Sequence, residues 1–316
     1  MPFTQKLTEF NCLVVLGVTA SGKTNLACQM AHKLNGAIIS ADSRQVYKHL
    51  TIGTGKDLNS YCIEGSLIPY YGIDIAEPYD QYYLHQFCEL LNSSFNIITK
   101  QKILPIICGG TGLYLDALSK SFEYTQIKEN SQLRLTLDGK TKEELLIVLG
   151  TFNESDTQHV DKSSIKRIIR GIEVADYLKS NQIVKHQLPY KPLYIGIQTE
   201  LNDSIKQINK RLHDRLNNGL IEEVEGLIKM GITYERLINL GLEYKYISHY
   251  LQKKLTYSEF KEQLALAIIQ YSKRQSTWFK KMEKEGTHIN WFKQSELSES
   301  NINEIINTIK KAKSMY

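Results

Sequence analysis

One stretch near the start of the chain, Cys12–Thr24 (CLVVLGVTASGKT), constrains the fold more than any other. Cys12–Leu16 is a short, wholly apolar run rich in valine and leucine, the pattern of a parallel strand buried on both faces. Gly17, Gly22, Lys23 and Thr24 then fill every fixed position of G-x-x-x-x-G-K-[ST], the P-loop pattern. Beyond it, Leu26, Ala27, Met30, Ala31 and Leu34 recur at helical spacing, and Gly36 is expected to supply the left-handed residue that ends the helix. In such an order of strand, loop and helix, the backbone of Gly17, Val18, Thr19, Ala20, Ser21 and Gly22 turns its N–H groups toward phosphate oxygens. Lys23 adds charge, and the Thr24 hydroxyl would bind phosphate or a Mg²⁺ carried on it. The pattern implies a di- or triphosphate ligand. It does not identify a reaction.

With 316 residues the chain can bury a large core, as one large domain or one domain with a smaller companion. A net charge of +5 permits a nucleic-acid partner without demanding one. The five cysteines, Cys12, Cys28, Cys62, Cys88 and Cys108, are odd in number and scattered, which argues against a disulfide framework or a zinc site. Nor do the histidines show metal-ligand spacing. The first eleven residues are too polar for a secretory signal and no apolar run reaches membrane-spanning length. A cytoplasmic monomer with no membrane partner is expected.

Further candidate strands are Ala37–Ala41, which ends on Asp42, then Leu67–Ile75, Ile103–Cys108 and Leu193–Ile197. Strands alternating with helical stretches such as Tyr82–Lys100 predict an α/β fold, a P-loop parallel sheet with helices on both faces. Its ligand would lie beyond the carboxyl ends of the strands, where the P-loop, Asp42 and the turn Gly109–Gly112 meet. Between 122 and 186 the strand signal stops and helix formers dominate, so this segment is expected to be a helical insertion or lid. Residues 1–121 and 187–316 then form the catalytic core with a helical C-terminal part. There, Asp203 is expected to cap one helix, and Thr256 with Glu259 forms a capping-box pattern opening another that runs to about Trp278.

Asp42, at the end of a strand, could be a general base, a Mg²⁺ ligand or a turn-capping carboxylate. Gly109–Gly112 permits close approach to a ligand or merely a tight turn. Lys166, Arg167 and Arg170 share a helix whose other side is isoleucine-rich, the arrangement of a solvated face or of a phosphate-facing lid. Arg211 and Arg215 pose the same ambiguity. Around Trp278, Lys273, Arg274, Lys280 and Lys281 interleave with aromatics, as in a helix end packed on a core or in a nucleic-acid contact.

Several motifs together resemble the tRNA dimethylallyltransferases, also called tRNA isopentenyltransferases, over nearly the whole length. They are GVTASGKT (17–24), ISADSRQVY (39–47), IGTGK (52–56), DIAEP (74–78), GGTGLYL (109–115), RIIRGIEV (167–174) and KRQSTWF (273–279). The resemblance implies transfer of a dimethylallyl group from dimethylallyl diphosphate to N6 of adenosine 37 in the tRNA anticodon loop. It implies Asp42 as base, with Lys23, Thr24, Arg211 and a Mg²⁺ on the leaving diphosphate. It also implies tRNA contacts from Asp42, Ser43, Arg44, Gln45 and Thr111, and from Arg134, Lys166, Arg167 and Arg170. Lys245, Lys273, Arg274, Gln275 and Trp278 would complete that face. Three departures stand out. Glu243–Tyr246 replaces the G-Y-R-Q of many bacterial members, and Ile268–Gln270 replaces Thr-Arg-Gln, both in the half expected to face tRNA. Asp57 replaces a usual proline. A P-loop small-molecule kinase, with Asp42 as Mg²⁺ ligand or base and the insertion as an ATP lid, is the alternative that residues 12–42 alone leave open.

Overall fold

The computed structural model describes residues 9–120, 122–158, 160–183 and 187–313, and divides the chain into two compact units. One comprises Met1–Ser119 with Pro189–Tyr316, the other Lys120–Leu188. Residues 121 and 186, at the edges of the expected insertion, lie outside the described residues.

The larger unit is built on a six-stranded sheet. Its spatial order is Tyr70–Tyr71, Gly36–Ala41, Leu104–Gly109, Cys12–Gly17, Pro192–Gln198 and Ile289–Lys293, every neighbour parallel. The central strand Cys12–Gly17 is buried on both faces, as its unbroken apolar run requires. Its odd-numbered side chains join Leu26, Met30 and Leu34 of the Lys23–Leu34 helix and Ile302, Ile305 and Ile309 of the Glu299–Lys313 helix. The Leu84–Lys100 helix packs against Leu104–Gly109 and Gly36–Ala41, with Phe87, Leu91, Phe95 and Ile98 buried. The stacked rings of Phe87 and Tyr114, 3.9 Å apart, tie that helix to the turn after Leu104–Gly109. A second cluster gathers Ile208, Leu212, Val224, Tyr244, Phe260 and Leu264 from the C-terminal helices around Val46, Tyr47 and Leu50. All five cysteines are free thiols. No helix among the described residues is long and apolar enough to cross a membrane.

Several local expectations change. Gly36 does not end the first helix. Asn35 takes the left-handed place (φ 51, ψ 63), and Gly36 opens the next strand where a Cβ would stand 2.8 Å from Ile106 Cδ1. Of the expected Leu67–Ile75 strand only Tyr70–Tyr71 enters the sheet, while Ser66–Leu67 pairs with Cys62–Ile63 in a small hairpin. Gly72 and Asp74, both at positive φ, turn the chain away. The edge strand Ile289–Lys293 carries a weak sequence signal, because Asn290 breaks its short apolar run and Lys293 ends it. Glu200, not Asp203, stands at the N-cap of the Leu201–Asn217 helix. The Thr256–Glu259 capping box is present, and its helix continues beyond Trp278 to Lys284.

The smaller unit has its own core of Leu137, Leu145, Leu149, Ile168 and Ile172. Glu173, on the apolar side of the Ile165–Leu178 helix, is its polar centre. It accepts from Arg134 Nε (2.8 Å) and Nη2 (3.0 Å), from Arg170 Nη1 (3.2 Å) and from the Asn130 N–H (2.9 Å). Arg170 Nη2 also donates to the carbonyls of Tyr124 and Ile127. Burial alone would raise the Glu173 carboxyl, but bonds from Arg134, the Asn130 N–H and Arg170 outweigh it and hold it below its ordinary 4.5. This stability is therefore complete above about pH 4.5 and lost as pH falls through the lower folded value. Glu173→Gln is expected to destabilise the unit by about 2–4 kcal/mol, since two guanidinium groups lose their anion. Hydrogen exchange within Ile165–Leu178 reads the effect directly. Unchanged protection would mean that the network contributes nothing.

Candidate active site

The P-loop geometry follows from its residue types. Ala20 (φ 62) and Gly22 (φ 83) occupy left-handed conformations that bend Val18–Gly22 back over the helix start. At Gly17 a Cβ would stand 2.5 Å from Ser21 Oγ, so only glycine lets the loop close. Lys23 Nζ donates to the Val18 carbonyl at 3.3 Å, which folds the lysine over the loop it serves. The Thr19 N–H donates to Gln275 Oε1 (2.8 Å), while Gln275 Nε2 donates to the Gly110 carbonyl (2.9 Å). One buried amide thus spaces the P-loop from the second glycine turn.

That turn is stitched to Asp42 in its own right. The Thr111 N–H donates to the Ala41 carbonyl (3.2 Å) and the Ser43 N–H donates to Thr111 Oγ1 (3.1 Å). Asp42 Oδ1 accepts from the N–H groups of Arg44 (2.9 Å) and Gln45 (3.4 Å), the turn-capping role open to it from sequence. Its other oxygen accepts no hydrogen bond among the described residues. Asp42 lines one pocket with Thr19, Lys23, Thr24, Gln45, Gly55, Cys108, Arg211, Tyr271 and Gln275.

The pocket is rich in positive charge. Burial pulls the Lys23 ammonium below its ordinary 10.5, with Cys108 and Asp42 pulling it back. Burial, then the charge of Arg215, push the Arg211 guanidinium down to about 10, still protonated at neutral pH. Beside them, burial pushes the Cys108 thiol up to about 11, so it is a neutral wall residue. Two half-buried cations facing one carboxylate make an arrangement suited to a multiply charged anion. No group of three or more metal-binding side chains occurs among the described residues. A Mg²⁺ carried on a diphosphate needs only one or two protein ligands, and the Thr24 hydroxyl and Asp42 carboxylate share the pocket, so the residues fit.

Other expected residues lie elsewhere. Gln275, placed by sequence among tRNA contacts, is 6% exposed and has both ends of its amide bonded inside the site. Trp278 packs on Gly112, where a Cβ would strike its indole, and Lys281 sits 5.1 Å over its ring. Arg134 and Arg170 commit their donors to Glu173 and to main-chain carbonyls within the smaller unit. On the same unit Lys166 is exposed, and Arg167 pairs with Asp161 at 2.5 Å. Lys273 and Arg274 are exposed on the Tyr257–Lys284 helix. Lys245 is half-buried, its ammonium 5.4 Å over Tyr246. Arg44 is half-buried near Gly241.

Two departures from the family pattern begin with buried residues, while Lys245 and Tyr246 are half-buried and Gln270 is exposed. Ile268 belongs to the C-terminal core. Glu243 and Tyr244 are buried, and Tyr244 donates to Glu223 Oε1 (2.9 Å). Glu223 in turn accepts the N–H groups of Thr51, Ile52 and Gly53 (2.8, 2.6 and 3.0 Å). This fixes the IGTGK segment as a wall of the pocket, with Lys56 buried against Asp74 at 2.5 Å. Sequence reasoning gave IGTGK no role beyond resemblance, and it did not find Tyr271 as a lining residue. The signal at Tyr271 was its place one helical turn before Gln275.

Comparison with known proteins identifies the family and its fold. The family model described as IPP transferase matches residues 45–282, and one described as Isopentenyl transferase matches residues 10–65. A tRNA dimethylallyltransferase 1 of Azobacteroides pseudotrichonymphae is 42% identical over 306 residues, covering 96% of this chain and 99% of its own. A tRNA dimethylallyltransferase 2 of Bacteroides fragilis is 40% identical over 298 residues, covering 94% and 97%. The crystal structure of a tRNA delta(2)-isopentenylpyrophosphate transferase from Staphylococcus epidermidis matches with a TM-score of 0.66 at 30% identity, covering 95% of this chain and 98% of that one. Membership, more than the P-loop itself, sets the kinase alternative aside. Matched through most of its length, the chain belongs to the IPP transferase family, that of the tRNA dimethylallyltransferases.

Proposed function

We propose that the chain transfers a dimethylallyl group from dimethylallyl diphosphate to N6 of adenosine 37 in the tRNA anticodon loop. The observation that carries the reading is one pocket holding a P-loop lysine, a second cation and a strand-end carboxylate, Lys23, Arg211 and Asp42. The N6 amine attacks the allylic C1 and forms the C–N bond as the C1–O bond breaks. The electron pair of that bond leaves with the diphosphate, and the amine proton goes to Asp42. An adenine amine is a weak nucleophile, its lone pair being delocalised into the ring, so removal of that proton during attack assists the step. Lys23, Arg211 and the loop N–H groups stabilise the charge that grows on the leaving diphosphate. Mg²⁺, when bound near Thr24, would supply further neutralisation of that group.

An adenosine in a stacked loop must leave the stack for its amine to reach C1. On the larger unit, exposed Lys273 and Arg274 suit phosphate contacts to RNA, and on the smaller unit exposed Lys166 does so separately. Every residue lining that pocket belongs to the larger unit. Incubating the protein with unmodified tRNA, Mg²⁺ and dimethylallyl diphosphate should yield N6-dimethylallyladenosine on nucleoside mass analysis. If a set of tRNAs with adenosine at position 37 gives no prenylated base, the reading is wrong.

A further inference from the structure

Arg211 and Arg215 lie one turn apart on the Leu201–Asn217 helix and so share a face. Their guanidinium ends converge on Gly55 (φ +65), where a Cβ would collide with Nη2 of both. Gly55 and Arg211 line the pocket, and Arg211 makes no hydrogen bond or ion pair among the described residues. Arg215 is held behind it. Its Nη1 donates to Glu243 Oε1 (2.9 Å) and to the Gly53 carbonyl (3.1 Å), and its Nη2 is buried without a partner. The side chains of Arg215 and Glu243 are only 11% and 6% exposed.

Two like charges so close are tolerated because Glu243 neutralises one of them. The neighbouring Tyr244, bonded to Glu223, anchors the backbone that carries this carboxylate. A buried carboxylate does not stay unpaired. Were Arg215 absent, Arg211, which converges on the same Gly55 and is attracted by Glu243, would be free to pair with that carboxylate, and pairing would draw Arg211 out of the pocket. We propose that Arg215 is a positioning residue that keeps Glu243 occupied, so that the Arg211 charge remains free for the diphosphate. This rests on the prenyl-transfer reading of the pocket and adds to it how this chain frees its second cation.

The test uses inorganic diphosphate with Mg²⁺ as probe, titrated calorimetrically into the full chain without tRNA, alongside steady-state turnover. Arg215→Met should weaken diphosphate binding about tenfold or more and raise KM for dimethylallyl diphosphate equally, leaving KM for tRNA unchanged. Adding Glu243→Met removes the trap, and binding should return to within about threefold of the original, since an apolar pair replaces a buried ion pair without a folding cost. A merely structural pair would show no such rescue. If Arg215→Met does not fold by circular dichroism, Arg215→Gln, which can still donate to Gly53, carries the same expectation. Unchanged affinity in the single variant, or a double variant as weak as the single, overturns the proposal, as does a wild-type chain that does not bind diphosphate. A chain that binds diphosphate but prenylates no tRNA refutes the functional reading and leaves the diphosphate result to stand or fall separately.

Discussion

Lys23→Ala is expected to lower kcat about a thousandfold or more, roughly 4 kcal/mol of transition-state stabilisation. The lysine folds over the loop through the Val18 carbonyl and faces the pocket from a half-buried position that depresses its own pKa. A diphosphate gains charge as it leaves, so an ammonium at this place stabilises the transition state more than the bound substrate. KM for dimethylallyl diphosphate should therefore rise less than kcat falls. The loop itself should persist, because its shape depends on Ala20, Gly22 and the Thr19–Gln275 bond. Rapid-quench measurement of the chemical step, with tRNA saturating, decides the matter. Turnover near the original rate would remove Lys23 from the chemistry.

Asp42→Asn separates the two roles that the carboxylate combines. An asparagine oxygen can still accept the N–H groups of Arg44 and Gln45, so the turn survives. Lost is the acceptor for the amine proton, and general-base removal lowers kcat by about a hundredfold to ten-thousandfold. Affinity for inorganic diphosphate should hold or improve, since a negative charge has left a cationic pocket. If diphosphate binding collapses together with kcat, Asp42 is holding the pocket's shape and is not the base.

The parallel core was legible because its signals are local. The apolar run Cys12–Leu16, the glycines and Lys23 lie within a few residues of each other and need no distant partner to be read. Asp42 followed from the rule that ligands sit at the carboxyl ends of strands. Gln275 was misplaced because its meaning depends on Thr19 and Gly110, both far away in sequence. Arg134 and Arg170 read as free basic residues until buried Glu173 supplied their partner, and a glutamate amid isoleucines gives little sign of its depth. Arg215 and Glu243 were equally illegible, since the pair exists only where separate helices meet at Gly55. Periodicity reports which face of a helix is buried. It does not report which buried charges find each other.

The bond between Thr19 and Gln275 spans 256 positions. Closing so long a segment costs an unfolded chain about 5 kcal/mol of configurational entropy, recovered only when both halves of the larger unit have packed. The strand and helix on either side of the loop rest on local contacts, whereas the bond at Thr19 requires the distant Tyr257–Lys284 helix to be in place. Diphosphate, by binding only the completed pocket, favours the finished chain over every partial one. A ribosome-bound chain that stops short of Gln275 carries the glycine loop without the contact that sets it.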